Sequence, residues 1–146
     1  MLQRNGFTLI EMLVVVAIIG LLSSTVLVGL GNARSRARDA RRIVDLRQIQ
    51  TGLENYYVEN NQIYPRDVYT AIEGLPMDPR GGEYGYVRED TQGYVLGACL
   101  ENERSGDVQT FRGNYDVSPI GSPLIPPPSC NCEDSVAYCV SIGIGS

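Results

Sequence analysis

The chain has 146 residues and a formal net charge of −5, and it contains neither histidine nor lysine, so all twelve basic residues are arginines. Without histidine the usual general base near neutral pH is missing, and no Ser-His or Cys-His pair can form. The sequence also has no P-loop and no G-x-S-x-G motif. Composition therefore argues against an enzyme and predicts no cofactor. The length predicts one small domain with an anchor.

The charge is distributed unevenly along the chain. Residues 1–58 carry seven arginines against four carboxylates, a balance of +3, whereas residues 59–146 carry five arginines against thirteen carboxylates, a balance of −8. The simplest interpretation is two solvated faces. The alternative hypothesis is that the arginine-rich part of one subunit meets the acidic part of its neighbours in a polymer. The acidic total argues against nucleic acid as a main ligand.

The most informative stretch is the N-terminus, where a polar leader, residues 1–6, precedes a long apolar run. From Met12 to Ala33 there are 22 residues without a charge. At about 1.5 Å per residue, a helix of this length crosses a hydrocarbon core of about 30 Å. Glu11 stands at the start of the run, and an ionised carboxylate in lipid costs about 2.5–3.5 kcal/mol unless it has a partner. Residues 7–33 are therefore predicted to form a transmembrane or filament-core helix.

Proteolysis between Gly6 and Phe7 would create that partner. The cut leaves a new α-amine four residues before Glu11 and removes Arg4. Because Gly6 has no side chain, a protease can approach the backbone closely. The amine of one subunit is then expected to pair with Glu11 of another, which neutralises two charges in an apolar place.

The stretch Gly6-Phe7-Thr8-Leu9-Ile10-Glu11 resembles the class III leader junction of type IV pilins and type II secretion pseudopilins. The resemblance covers this junction and the apolar run after it. It implies that a prepilin peptidase cuts between Gly6 and Phe7, that Phe7 is N-methylated, and that Glu11 and Phe7 guide assembly. The implied partners are further copies in a helical homopolymer, the peptidase/methylase, an inner-membrane assembly platform, and membrane lipid before assembly. The implied location is a single-pass membrane precursor with its head outside, and then a periplasmic or extracellular filament.

Other interpretations of the N-terminus compete with this one. A secretory signal peptide has a shorter apolar region without a carboxylate, and Gly31-Asn32-Ala33 is a poor cleavage site for it. A plain anchor with Glu11 at the interface is a second possibility, and a buried helix of a soluble domain is disfavoured because the run is apolar on all faces. The positive-inside rule favours the opposite topology, because only Arg4 precedes the run and six arginines follow it closely. That topology would give a single-pass protein with a small cytoplasmic, zinc-binding domain.

After the apolar run the pattern becomes amphipathic and predicts that the helix continues through a stem, residues 34–59. Apolar residues recur at three- and four-residue steps, and the charged residues between them, including Arg42 and Asp45, are expected to face water. Asn60-Asn61 is predicted to end the helix, which leaves the chain on an extended path into the head.

The head, residues 60–117, is predicted to be a small three-stranded antiparallel sheet packed on the stem, so the fold class is α+β. Neither layer has enough apolar surface to be stable alone. Val68 to Gly74 is expected to form a short helix or turn, followed by a loop from Leu75 to Gly82. The expected strands are Glu83 to Arg88, Gly93 to Glu101 and Gln109 to Val117. Tyr64-Pro65, the Asp78-Pro79 loop and Tyr84-x-Tyr86 are similar to the head of the major pseudopilin.

The last stretch, residues 118–146, is a proline- and cysteine-rich tail. In an oxidising compartment four cysteines suggest two disulfides among three pairings. Cys130 and Cys132 are too close to pair comfortably, and the favoured pairing is Cys132–Cys139 with Cys99–Cys130. A zinc site built from these four residues is the alternative.

The resemblance also implies a calcium loop near the C-terminus. Such a loop needs clustered carboxylates and carbonyls, and the sequence offers no clear one. The available donors, which are expected to be solvated, are Asp107, Asp116, Glu133 and Asp134. No metal site is therefore predicted.

Overall fold

The structure is a computed structural model that describes residues 7–103, 111, 113–121 and 129–143, with the backbone alone for residues 25–30. In chain order its elements are α1 (Leu9–Glu59), α2 (Val68–Ala71), β1 (Gly85–Arg88), β2 (Tyr94–Cys99) and β3 (Ala137–Ile142). This is the α+β class predicted from the sequence, with a continuous α1 and a three-stranded sheet. The chain divides into two compact units, of which the first ends at Ser35 and the second begins at Arg36.

The core of the second unit forms on one stripe of α1. Leu46, Ile49 and Leu53 recur at intervals of three and four residues, as an amphipathic helix requires, and all three are fully buried. Tyrosines and small aliphatic residues from α2, the sheet and the loops pack against them: Tyr64, Val68, Tyr84, Tyr94, Leu96, Ala98 and Tyr138. The helix and the sheet therefore share one apolar interface, as the pattern of the stem predicted.

The predicted end of α1 is confirmed. Asn61 and Gln62 have positive φ angles of 57° and 60°, a left-handed conformation that asparagine tolerates better than most residues. The chain then enters α2, where the Asp67 side chain accepts hydrogen bonds from the backbone N–H groups of Tyr69 and Thr70. The left-handed residues after α1 and the N-cap of α2 therefore turn the chain from the helix toward the sheet.

All three strands are antiparallel, in the order β1-β2-β3. Successive side chains of a strand point to opposite faces, so Leu96 lies on the face that packs on α1 while Val95 lies on the other face. That second face has its own small core, made of Val95, Val117, Cys130, Cys132, Ala137 and Cys139. The sheet is therefore covered on both sides.

The third strand predicted at Gln109 to Val117 is wrong. The strand that pairs with β2 is β3, which lies in the stretch predicted to be a tail. In the described part of the predicted strand, Asp116 forms an isolated bridge with Asn131, and the backbone N–H of Phe111 donates to the carbonyl of Cys139 in β3. The described residues of this segment are not part of a strand, and Val117 is fully buried there.

Glycine makes this close packing possible. A Cβ added at Gly97 would lie 2.7 Å from the side chain of Val117 and 2.8 Å from the sulfur of Cys139. A Cβ added at Gly85 would meet the backbone of Val117 at 2.4 Å. The two strands therefore need glycine where the segment containing Val117 crosses them.

Two disulfides hold the C-terminal segment on the sheet. Cys99 at the end of β2 pairs with Cys130, and Cys132 pairs with Cys139 in β3. The favoured pairing is confirmed, and because no cysteine is free, no thiolate remains to bind zinc. One disulfide joins β2 to the segment before β3, and the other joins that segment to β3, so together they bring the C-terminal stretch to the sheet.

Candidate functional site

The N-terminal part of α1 presents apolar residues on every side. Each large apolar side chain from Phe7 to Leu22 is at least half exposed, from 50% at Val15 to 81% at Phe7. Over the described ranges, none of the helices combines the length and the hydropathy of a membrane span. Exposed apolar surface of this extent marks a site of interaction.

Glu11 is held by the residue that precedes the helix. The backbone N–H and the hydroxyl of Thr8 donate to Glu11 Oε2 at 2.9 and 2.8 Å, and the backbone N–H of Glu11 donates to Thr8 Oγ1 at 3.4 Å. This arrangement is a capping box, in which a threonine and a glutamate three residues later satisfy the first backbone donors of a helix. The carboxylate therefore has a partner in its own chain, with which a neighbour's amine would have to compete.

The structure brings two of the predicted assembly residues together at one end of α1. Phe7 and Glu11 both lie at the exposed start of the helix, and Gly6 lies outside the described residues. Their roles in cleavage, methylation and assembly stay predictions. Thr8 was missed by the sequence reasoning, although Thr-x-x-Glu before an apolar run is the sequence signature of the capping box.

A second arrangement, the ion cluster of the head, surrounds Arg42, which is only 3% exposed. The guanidinium donates twice to Asp78, from Nε at 2.6 Å and from Nη2 at 3.1 Å. Its Nη1 donates to Asp39 at 2.7 Å and to Glu101 at 3.1 Å, and Arg38 Nε donates to Glu101 at 2.6 Å. The cluster joins α1, the loop before β1 and the residue just after β2.

The expectation that Arg42 and Asp45 face water is wrong. Both are buried, because the head supplies each with a polar partner that lies far away in sequence. Tyr84 donates its hydroxyl to Asp45 at 2.8 Å, and burial followed by this bond raises the pKa of Tyr84 above its usual range. The periodicity of the stem identified its apolar stripe but not the charged residues beside it.

Hydrogen bonds from the arginines lower the pKa of Glu101 to about 2. The bond from Arg38 is the largest cause, burial opposes it, and Arg42 adds a smaller effect in the same direction. Glu101 is therefore ionised at any ordinary pH, as a permanent ion-pair partner is. The cluster consists of arginines and carboxylates that pair with one another, so its arrangement fits a structural lock.

The acids considered for a calcium loop are not gathered into a site. Asp116 Oδ1 accepts from the backbone N–H and hydroxyl of Ser118, and Asp134 Oδ2 accepts from the backbone N–H of Asn131. In the part of the chain that the structure describes, no three metal-ligating side chains come together. Asp107 lies outside that part. The carboxylates of Asp116 and Asp134 are used inside their own turns, and the described acids do not fit the implied loop.

The N-terminal segment has a known counterpart. Residues 1–27 match the prokaryotic N-terminal methylation motif. The match includes the Gly6–Glu11 junction and most of the apolar run. Together with one long helix and a small antiparallel sheet, the motif defines a prepilin-like protein.

The comparison with curated proteins covers most of the chain. Over 141 residues the chain is 30% identical to type II secretion system core protein G of Pseudomonas aeruginosa, an alignment that spans 78% of this chain and 96% of that protein. It is 28% identical over 137 residues to the core protein G of Dickeya chrysanthemi, spanning 79% and 88% of the two chains. It is 29% identical over 116 residues to the type IV wide pilus major component PilA4 of Thermus thermophilus, spanning 80% and 86%. No solved structure matches the chain. The chain belongs to the family of type IV pilins and type II secretion major pseudopilins.

Proposed function

We propose that the mature chain is a structural subunit, and not an enzyme, of a type IV pilus-like fibre or a type II secretion pseudopilus. The observation that carries this proposal is a methylation motif leading into a helix whose apolar side chains are exposed on every side. Lipid covers this surface in the precursor, and the same helices of other copies cover it in the filament. Burial against like helices offsets the loss of lipid contact.

The proposed segments follow from this function. Residues 1–6 are the leader, residues 7–33 the membrane and filament-core helix, and residues 34–59 the stem. Residues 60–117 are the head, and residues 118–146 are the tail, which supplies β3 to the sheet of the head. The precursor is held in the cytoplasmic membrane with the head outside, and the assembly platform transfers it to a periplasmic or extracellular fibre.

Glu11 is the residue that sets the register between subunits. In the precursor the nitrogen of Phe7 belongs to a peptide bond and cannot pair with the carboxylate, and among the described residues Thr8 is the partner of Glu11. Prepilin peptidase cuts between Gly6 and Phe7 and frees an amine. The donors of Thr8 are neutral, whereas an ammonium adds a Coulombic attraction that is strong in an apolar place, so the methylated ammonium of a neighbour displaces Thr8.

The absence of lysine permits a direct test of this pairing. The amine of Phe7 is the sole amine of the mature chain, so a zero-length carbodiimide cross-linker can join a carboxylate to one position. In sheared filaments we expect a cross-linked peptide that joins the N-terminus of one copy to Glu11 of another. Filaments that cross-link elsewhere, or not at all, would contradict the role of Glu11.

Mass spectrometry of the purified protein tests the processing step. The expected N-terminus is methylated Phe7, and an intact Met1 would contradict the proposal. Gly6→Leu is expected to block cleavage. Glu11→Val is expected to leave cleavage intact but to reduce filament yield, and a normal yield from this variant would count against the assembly role.

A further inference from the structure

We propose that one face of the stem, turned away from the head, binds the acidic head of a second copy. This inference rests on the proposed filament function and adds the surface through which the heads are held. The outer stem face consists of Arg36, Ala40, Val44, Arg47, Thr51 and Val58. On a helix with 100° per residue these six positions fall within an arc of about 80°, and all six are exposed.

The structure separates the arginines of the stem into two groups. Arg38 and Arg42 are bound to carboxylates of their own chain. Among the residues described, the guanidinium groups of Arg36 and Arg47 have no ion pair and no hydrogen bond, and Arg47 is bonded to Thr51 only through its carbonyl oxygen. Arg41 lies between the groups, 3.7 Å from Asp45 and still 67% exposed. The guanidinium groups of Arg36 and Arg47 on the outer stem face therefore remain available to pair with another molecule.

The six residues of this face are the two arginines and four apolar or small residues, and one carboxylate, that of Glu54, lies at the same angular position as Arg36. Val44 is 62% exposed and Val58 is 78% exposed, although the same part of α1 buries Leu46, Ile49 and Leu53. Glu54 lies at the margin of the arc, but it is half-buried and accepts the hydroxyl of Tyr64 at 2.9 Å. The face therefore combines positive charge with apolar contact area, which suits an acidic protein surface.

The head provides such a surface. Residues 59–146 carry five arginines and thirteen carboxylates, and two of those acids, Asp78 and Glu101, are used by the ion cluster. Exposed acids for which the described region shows no side-chain partner include Glu59, Glu73, Glu103 and Glu133. A chain with a net charge of −5 repels its copies unless opposite patches meet, and the outer stem face supplies the opposite patch.

The length of the face favours a protein over a lipid surface. Arg36 and Val58 are 22 residues apart, about 33 Å along a helix. The headgroup layer on each side of a bilayer is only about 5–8 Å thick. If the stem runs along the membrane normal, anionic headgroups can contact only the first part of the face, whereas a neighbouring head can cover all of it.

Cross-linking at one introduced amine tests the contact. Arg47→Lys keeps the charge and adds the one side-chain amine in the chain, so carbodiimide treatment of filaments reports the carboxylates that face position 47. Arg66→Lys is the matched control, because Arg66 is also exposed but lies on the head. We expect Arg47→Lys filaments to give several-fold more interchain dimers, joined to an acid within residues 59–146. Equal dimer yields from the two variants, or cross-links confined to the N-terminus, would overturn the inference.

Charge reversal gives a second, independent readout. In a host with the assembly machinery, Arg36→Glu with Arg47→Glu is expected to lower the yield of sheared filaments by about tenfold or more, because like charges then face each other. Arg66→Glu, a single reversal on the head, is expected to have a much smaller effect. Wild-type filaments are also expected to dissociate more readily at high salt.

The outcomes separate the two proposals. If the wild-type chain forms no filaments, the proposed function fails. If wild-type filaments form but the double reversal leaves their yield unchanged, the inference fails alone. If the double reversal only weakens binding of the precursor to anionic phospholipid vesicles, the face serves the membrane and the inference is again overturned.

Discussion

Replacing Arg42 with methionine is expected to loosen the stem from the head. Arg42 is 3% exposed and donates to three carboxylates. Methionine occupies much of the apolar stem of the arginine side chain but carries no charge and no donor. After the substitution Asp78 keeps one hydrogen bond to its carboxylate, from the backbone N–H of Arg80.

The expected loss of stability depends on the hydrogen-bond partners that the three carboxylates keep after the substitution. Removing one partner of a buried ion pair costs about 3–5 kcal/mol. Glu101 keeps Arg38, and Asp39 keeps two backbone N–H donors, those of Glu101 and Asn102. Only Asp78 loses its main partner, so we expect a loss near the lower limit, about 3 kcal/mol. For a head of this size that corresponds to a fall in Tm of roughly 10–15 °C.

The assay is thermal unfolding of the full-length mature protein in detergent, followed by the near-ultraviolet circular dichroism of the tyrosines. Arg41→Met is the matched control, because Arg41 is 67% exposed and 3.7 Å from Asp45, and an exposed pair contributes about 0.2–1 kcal/mol. The Tm of Arg42→Lys should lie between those of the two methionine variants, since lysine keeps the charge but lacks the planar guanidinium group that can donate to several carboxylates. If Arg42→Met and Arg41→Met unfold at the same temperature, the proposed lock is refuted.

Three further predictions concern the head. The folded pKa of Glu101 is about 2 against an ordinary 4.5, so its stabilisation is present above pH 4.5 and is lost as the pH falls toward 2; Glu101→Gln should flatten this part of a plot of Tm against pH. Gly97→Ala should cost about 1–3 kcal/mol through overlap with Val117 and Cys139; in urea unfolding, the double variant with Val117→Ala should lose less than the sum of the two single losses. Replacing Cys99 and Cys130 together should cost about 3–4 kcal/mol, because their disulfide closes a separation of 31 residues, and removal of the second disulfide should cost less.

Local patterns predicted the helix and the first two strands but not the third. The stem shows its apolar stripe directly in its spacing, and β1 and β2 are short runs bounded by turn residues. Gln109 to Val117 and Ala137–Ile142 both resemble strands, and period-two patterns do not say which of two such runs pairs with β2. That choice depends on the disulfides and on the glycine positions that admit Val117, which are features of the folded sheet.

The residues of the candidate sites also differ in how far the sequence predicts them. Glu11 is conspicuous because a charge in an apolar run is visible in the sequence alone, and Thr8 was detectable from its spacing to Glu11. The role of Arg42 was not detectable from the sequence, because its partners Asp78 and Glu101 lie 36 and 59 residues away. A charged residue on a helix is ordinarily solvated, and only the fold shows that this one is enclosed.

The position of β3 at the far end of the chain makes the head sensitive to its own completeness. The pairs between β2 and β3 join residues as distant as Tyr94 and Ile142, and such long-range pairing is slow to form. Until Ala137–Ile142 arrives, one edge of β2 offers unpaired backbone groups to any other strand. A chain that lacks Ala137–Ile142 therefore cannot complete its sheet, and the edge of β2 stays unpaired. A complete head requires that the C-terminal strand is present before the subunit enters a fibre.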